Sequence, residues 1–315
     1  MQELAGVLPG QLVLVKDETR TESGSHKHRA AAAVVRAARA AGHDWLTVGS
    51  CGNYGLAVAA EAAACAAAVD VVLPAAYASG AMADRLRQLG AELHHVPGGY
   101  EDAVAASRAL TTSRRDGQEH GKEDGGPVDA NVDGPFAAQV AAALATIAVE
   151  IAVAMPAAAP PGTSAPDLDR VTVWVPTGNG TTVAAVADPA AGLPRRAGVV
   201  AVTATGSNSV LASWPTTRHT PLDPAHIVST PAREPLVNWA ALHGQEALDA
   251  LHARRAAGGS GHVVGVTDAD LHDARAVLSD HGIPASPAGA AGLAGLLAHP
   301  AGAADAVHVV VVTGR

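Results

Sequence analysis

Aromatic residues are nearly absent from this 315-residue chain: one phenylalanine, three tyrosines and four tryptophans make up 3% of it. Lysine is scarcer still, with only Lys16, Lys27 and Lys122 against 18 arginines. With a formal charge of −9 and no basic stripe, these shortages exclude nucleic acid as a partner, which asks for clustered cations and stacking rings. Two cysteines, Cys51 and Cys65, offer no disulfide framework, so a reducing compartment, the cytoplasm, is expected. Long hydrophobic runs are missing as well. The longest, Val140–Met155, carries Thr146 and Glu150 and falls short of the ~20 residues that cross ~30 Å of hydrocarbon. No basic-then-apolar leader opens the chain, and neither membrane nor secretion is expected. Alanine is the largest part of the 48% hydrophobic fraction, which favours helices. At roughly 150 residues per domain, the length predicts two domains or one large α/β unit.

Short apolar runs alternate with longer alanine-rich, helix-periodic ones. Strands are predicted at 11–15, 45–48, 69–73, 92–96, 171–175, 199–203, 262–266 and 307–312. Helices are predicted near 27–41, 54–68, 80–89, 100–115, 134–155, 240–256, 268–281 and 288–298. Strand–helix alternation with near-continuous apolar strands indicates an α/β fold of two lobes with open, mostly parallel twisted sheets. Two segments break the rhythm and read as loops: the polar, Gly-rich 116–133 and the Pro/Ala-rich 156–169.

Four segments could carry chemistry. In Val13–Arg29 a strand ends in a polar loop, and Ser25 is placed to cap a helix with Lys27 in its first turn. The helix start and the neighbours His26, His28 and Arg29 would depress the ammonium pKa, as an imine-forming lysine requires. An exposed lysine in a basic helix start is the plainer reading. In Gly49–Gly55, Gly52 and Gly55 allow close backbone approach, the amides at the helix start can bind an anion such as a carboxylate, and Asn53 can donate to an oxygen. An ordinary strand-to-helix turn accounts for it equally well. The loop Gly178-Asn179-Gly180-Thr181-Thr182 follows another strand and is a natural phosphate cradle, although it matches only half of a dinucleotide fingerprint. Finally, Thr313 puts a hydroxyl at the carboxyl end of the last strand, where ligands of parallel sheets bind. It is also simply where that strand stops.

In this order the four segments resemble the fold-type II pyridoxal-phosphate enzymes, whose architecture is that of the tryptophan synthase β chain and of the serine/threonine dehydratases. Within that group the chain looks most like threonine synthase, on Lys16-Asp-Glu before Ser25-His-Lys27-His-Arg29, Val175-Pro-Thr-Gly-Asn-Gly180, Ser286-Pro-Ala-Gly-Ala-Ala-Gly and Thr313-Gly314. The resemblance implies pyridoxal 5′-phosphate attached to Lys27, which also shuttles the substrate's α-proton. Asn53 would hold the ring oxygen of the cofactor; Gly178, Asn179, Gly180, Thr181 and Thr182 its phosphate; Thr313 would face its ring nitrogen. A hydroxyl there stabilises a pyridinium less than a carboxylate, so a largely unprotonated ring is expected. Ser50, Cys51, Gly52, Asn53 and Asn131 would receive the amino-acid substrate. The family further implies a homodimer and two domains, placed at 1–41 with 134–315 and at 42–133.

Departures from threonine synthase redirect the substrate. The stretch Asn131–Gln139 lacks the arginine expected to meet a substrate phosphate, and Ser286 stands where a glutamate is usual. The expected activity is therefore β- or γ-elimination or replacement on a specialised amino acid. The alternatives are a Rossmann-type nucleotide-binding oxidoreductase and a catalytically silent relative that binds the cofactor or an amino acid. No Cys/His spacing suggests a metal, and His94-His95 read as structural. Cys65 reads as buried and inert, and the Arg-Arg pairs at 114–115, 195–196 and 254–255 read as solvated.

Overall fold

The structure is a computed structural model that describes residues 1–116, 126–155, 170–300 and 306–315. In chain order its elements begin β1 (Gln2–Glu3), β2 (Leu12–Asp17), α1 (Lys27–Ala40), β3 (Trp45–Gly49), α2 (Asn53–Ala64), β4 (Ala68–Pro74) and α3 (Ala81–Gln88). Next come β5 (Glu92–Val96), α4 (Tyr100–Asp116), β6 (Pro127–Asp129), α5 (Ala137–Ala154), β7 (Val171–Pro176), α6 (Thr181–Ala187) and β8 (Gly198–Ala204). The chain closes with α7 (Ser209–Ser213), α8 (Gly244–Ala256), β9 (Gly261–Val266), α9 (Asp268–Asp280), α10 (Ala291–Ala298) and β10 (Val307–Val312). Every predicted strand is present. Two short ones, β1 and β6, and the short helices α6 and α7 are additions.

Two compact units result: Met1–Arg20 with Leu144–Arg315, and Thr21–Ala143. Helix α1 thus belongs to the second unit, whereas the sequence put residues 1–41 with the larger one. Its alanine face (Ala30, Ala31, Val34, Ala38) is buried and packs on α2, and that packing outweighs its nearness in sequence to β2.

The larger unit holds a six-stranded sheet, β1-β2-β10-β7-β8-β9, parallel except for β1. Its central strands β10, β7 and β8 are buried on both faces, and all six residues of β10 are buried. That burial is why they read as unbroken valine runs rather than alternating ones. One face packs under α9 and α10 through Val15, Trp174, Val202, Val310, Leu271 and Leu293. Within this unit α5 contributes the buried Leu144, Ile147 and Ile151. Helix α5 is 18 residues long with a mean hydropathy of 1.9, and 28% of it is buried.

The smaller unit holds a parallel sheet in the order β5-β4-β3-β6. Asp70 is buried at its centre, with Arg114 Nε 3.0 Å from Oδ2, Arg114 Nη2 donating to Oδ1 at 3.1 Å, and Trp45 Nε1 donating at 2.9 Å. Glu92 and His94 converge on the same site, and the Arg114 guanidinium is shared by the two carboxylates. Arg114 is therefore no solvated helix end, and neither is Arg254, which is fully buried. Cys65 is half-buried at the carboxyl end of α2 rather than enclosed within it.

Candidate active site

In both sheets the strand order reverses at one point, and ligands of open parallel sheets bind outside the carboxyl ends of the strands at such a reversal. In the smaller sheet the chain runs β3 to β4 to β5 in one direction, then returns to place β6 on the other side of β3. In the larger one it runs β7, β8, β9 and then places β10 on the far side of β7. The turn Ser50–Asn53 follows β3 and Asn131 follows β6; Gly178–Thr182 follows β7 and Thr313 follows β10. The structure thus groups the residues chosen from sequence at the two reversals, one set in each unit.

In the smaller unit, Lys27 opens α1 and is exposed. The loop before it is knotted by Thr21, whose hydroxyl donates to Ser25 O at 2.8 Å and accepts from Ser25 N–H at 2.9 Å. That tie fixes the backbone of Ser25. His26 rather than Ser25 occupies the N-cap, and Ser25 Oγ is buried without a partner among the described residues, as is Ser23 Oγ. His28 meets Glu61 of α2 at 3.3 Å.

The turn after β3 is built around Ser50, whose buried Oγ accepts from Gly52 N–H (3.2 Å) and Gly55 N–H (2.9 Å). A Cβ at Gly55 would lie 2.8 Å from Ser50 Cβ, so glycine is what lets α2 start here. Ser50 therefore shapes the turn, while the amides of Asn53 and Tyr54, at the positive end of α2, form no hydrogen bond to a described residue. Tyr54 donates to Ala130 O at 2.7 Å, and burial pushes its phenol far above the ordinary range.

Asn131 is 2% exposed and its amide is committed to the fold. Oδ1 accepts from Gly49 N–H at 3.0 Å, and Nδ2 donates to Ser107 Oγ and Asp129 Oδ1 at 2.8 and 2.6 Å. It locks the end of β3 to that of β6 and leaves no amide atom for a substrate. An arginine does stand beside it, Arg108 of α4, but it is paired with both Asp129 (3.2 Å) and Asp133.

In the larger unit, Gly180 has φ +92°, and a Cβ there would meet His243 O at 2.4 Å; one at Gly178 would meet Pro235 O at 2.3 Å. Asn179 Oδ1 accepts from Thr181 N–H (3.2 Å) and Thr181 Oγ (2.8 Å), which shapes the first turn of α6. The amides of Gly178, Asn179 and Gly180 donate to no described residue. Thr182 and Thr313 are each 8% exposed. The amide of Thr313 donates to Gly289 O at 3.2 Å, and Ser286 N–H donates to Gly314 O at 3.0 Å, which pins the strand end.

Three residues that support this loop escaped the sequence reading. Asn208, 1% exposed, donates from Nδ2 to Gly178 O at 2.9 Å and to Leu236 O at 2.8 Å. The His243 amide donates to Asn179 O at 2.9 Å, and its Nε2 is buried without a partner among the described residues. Arg254 donates to Ala187 O (2.9 Å), Pro194 O (2.7 Å) and Asp188 O (3.2 Å), so it covers the carboxyl end of α6; burial lowers its pKa. Only Asn208 had a local signal, as an Asn before a short helix.

A family model described as pyridoxal-phosphate dependent enzyme matches residues 1–314. Among curated proteins, none matches. The fold is similar to that of a threonine deaminase from T.th., at 21% identity and TM-score 0.73 over 97% of this chain and 88% of that one. A pyridoxal 5′-phosphate-dependent aspartate racemase superimposes with TM-score 0.74 at 18% identity, over 99% of this chain and 86% of that one. Diaminopropionate ammonia lyase from Escherichia coli does so with TM-score 0.72 at 18% identity, over 96% and 79%.

Proposed function

The chain belongs to the family of pyridoxal-phosphate-dependent enzymes, and from that premise we propose that it catalyses β- or γ-elimination or replacement on a small substituted amino acid. The family sets aside the nucleotide-binding oxidoreductase alternative. The observation that carries the substrate reading lies in the smaller unit. Two unbonded amides at the start of α2 suit an α-carboxylate, while the neighbouring Arg108 is already held by two aspartates and offers no fork to a phosphate monoester. The substrate is thus a specialised one rather than that of a housekeeping threonine synthase, although the chemistry is threonine synthase-like.

The cofactor fits the residues present. The three unbonded amides of Gly178, Asn179 and Gly180, with Thr181 and Thr182 at the start of α6, would hold its phosphate. Thr313, one strand over, would meet its ring nitrogen, Asn53 its ring oxygen, and Lys27 its carbonyl carbon. Once bound, pyridoxal phosphate supplies an electron sink for charge at the substrate α-carbon. Lys27 Nζ takes the α-proton, and the amides of Asn53 and Tyr54 at the start of α2 orient the substrate carboxylate. Ser50 and Asn131 act one step back: they hold the turn that does so. A cytoplasmic homodimer is part of the proposal.

Reconstitution with pyridoxal phosphate, borohydride reduction and peptide mapping test the lysine, and a panel of β- and γ-substituted amino acids assayed for 2-oxoacid and ammonia tests the reaction. The label is expected on Lys27. Lys16 is engaged by Glu18 and Glu150, and Lys122 lies outside the described residues. A label on Lys16 or Lys122 refutes the site. A cofactor band at Lys27 without turnover of any compound refutes the activity and leaves the silent relative.

A further inference from the structure

In its carboxyl-terminal half, helix α1 carries two arginines, Arg36 and Arg39, that the proposed function does not use. Spaced three apart, they share one face of the helix, and both are exposed. Helix α1 packs on α2, and the carboxyl-terminal halves of the two border a cavity of about 370 Å³ lined by Val35, Arg36, Arg39, Glu61, Ala64 and Cys65. That volume lies within the range of small-ligand pockets, roughly 300–1,000 Å³. All six residues belong to the smaller unit.

The charged groups around the cavity have bonding capacity to spare. Arg36 makes no hydrogen bond or ion pair with a described residue, and Arg39 makes one long bond, from Nη1 to His43 O at 3.5 Å. Glu61 meets His28 Nε2 through Oε1 at 3.3 Å, and its Oε2 has no partner among the described residues. Two guanidinium forks and one carboxylate oxygen thus surround an apolar wall of Val35, Ala64 and the half-buried Cys65.

We propose that this cavity binds an acidic α-amino acid. Its two carboxylates take the forks of Arg36 and Arg39, its ammonium takes Oε2 of Glu61, and its methylenes lie on Val35 and Ala64. Simpler ligands match the lining less well. Phosphate or a plain dicarboxylate would suit the arginines but would face the Glu61 carboxylate, and a neutral amino acid would leave one fork empty. The cavity is separate from the substrate turn and the lysine. Arg36 lies nine residues past Lys27 on α1 and Glu61 eight past Asn53 on α2, about 13 and 12 Å along the helix axes at about 1.5 Å per residue. An acidic amino acid therefore binds here whether or not Lys27 carries the cofactor.

The test is calorimetric titration of the full chain, reconstituted with pyridoxal phosphate and reduced with borohydride so that no amino acid reacts at the cofactor. The probes are L-aspartate, L-glutamate, glutarate, inorganic phosphate and L-alanine. One saturable site per chain is expected for at least one of the two acidic amino acids, with the other three probes weaker by about tenfold or more. Arg36→Gln and Arg39→Gln, both at exposed positions, should each weaken the acidic amino acid by about tenfold or more, and Glu61→Gln should weaken it without weakening glutarate. No saturable binding of either acidic amino acid overturns the proposal, as does binding that either arginine variant leaves unchanged. Glutarate or phosphate binding as tightly as the amino acid marks a general anion site and overturns it too. Should Glu61→Gln fail to fold, that comparison in the wild-type chain decides alone. Should the chain retain no cofactor, the proposed function falls, and the same titration of the chain as isolated still decides what the cavity binds.

Discussion

Replacing Arg254 by methionine keeps most of the buried stem and removes the guanidinium from the carboxyl end of α6. Three carbonyl oxygens lose their donor: that of buried Ala187 and those of Asp188 and Pro194, which lie nearer the surface. Hydrogen bonds to a charged group contribute about 1.5–3 kcal/mol each, which gives a gross loss of about 5–9 kcal/mol. Part of that returns, because the variant no longer desolvates a cation, and that term is several kcal/mol. The net destabilisation is about 2–4 kcal/mol. At about 2–4 °C per kcal/mol for a unit of this size, the Tm of the cofactor-free protein falls by about 4–16 °C. Since α6 begins at the Gly178–Thr182 loop, cofactor affinity should weaken in the same variant, measured by absorbance titration at a temperature where it remains folded. Arg254→Lys, with one point charge in place of a fork, should recover only part of the loss. A melting curve for Arg254→Met within 1 °C of wild type (about 0.5 kcal/mol or less) would refute the reasoning, because it would mean that water reaches those carbonyls as well as the guanidinium does.

Gly180→Ala combines a left-handed backbone with a Cβ 2.4 Å from a carbonyl, and should weaken cofactor binding by about tenfold or more. Gly90→Ala, with φ +82° and open space around it, isolates the backbone strain and should lower Tm by only about 2–4 °C. Equal melting losses in the two variants would discount the clash. O-phosphohomoserine should be a poor substrate, with kcat/KM lower by tens-fold or more for want of about 2–5 kcal/mol of charged contact, and efficient threonine formation would show that Arg108 or another cation is available. His308 is buried between Trp174 Nε1 and Gln11 Oε1, and burial holds its pKa below the ordinary value near 6.5. Its unfolded form binds the proton first, so its contribution is complete above about pH 6.5 and falls at up to about 1.4 kcal/mol per pH unit as pH drops towards the folded pKa. Denaturant titrations across pH 5–8 (about 1.5 units either side of that value) should show a shallower acid limb in His308→Asn, and an identical limb would remove His308 as its source.

A strand with uniform burial was legible in the sequence: Val307–Val312 runs between the residues predicted for it. Burial on both faces writes itself as an unbroken apolar run, and the glycines at strand ends mark the stops. Strand β6 was not legible. Its three residues, Pro127–Asp129, lie in a polar stretch and are a strand only because β3 offers an open edge. The site divides in the same way. Lys27, Ser50–Asn53 and Gly178–Thr182 announce themselves by local chemistry, glycine and hydroxyl beside a strand end. Arg254 acts across 60 residues of chain, and nothing in its immediate neighbours distinguishes it from a surface polar group. Ser25 shows the opposite failure: its surroundings in the chain are those of a cap, and Thr21, four residues earlier, took the backbone groups that placed it.

The larger sheet is stitched from the two ends of the chain, with β10 lying between β2 and β7. During synthesis β2 leaves the ribosome first and must wait for β10, nearly 300 residues later, before its inner hydrogen-bonding edge is satisfied. The intervening Thr21–Ala143 unit carries its own sheet and needs nothing made after it. Folding order is therefore expected to invert chain order, with the inserted unit compact while the first long strand is still an exposed, valine-rich edge. Such an edge pairs readily with a wrong strand, and closing so large a loop is slow. The same arrangement means that the hydroxyl of Thr313, next to the last strand to be laid down, is put in place only when the sheet itself is closed, so on the proposed assignment of that hydroxyl to the cofactor, cofactor retention doubles as a certificate that the whole chain has folded.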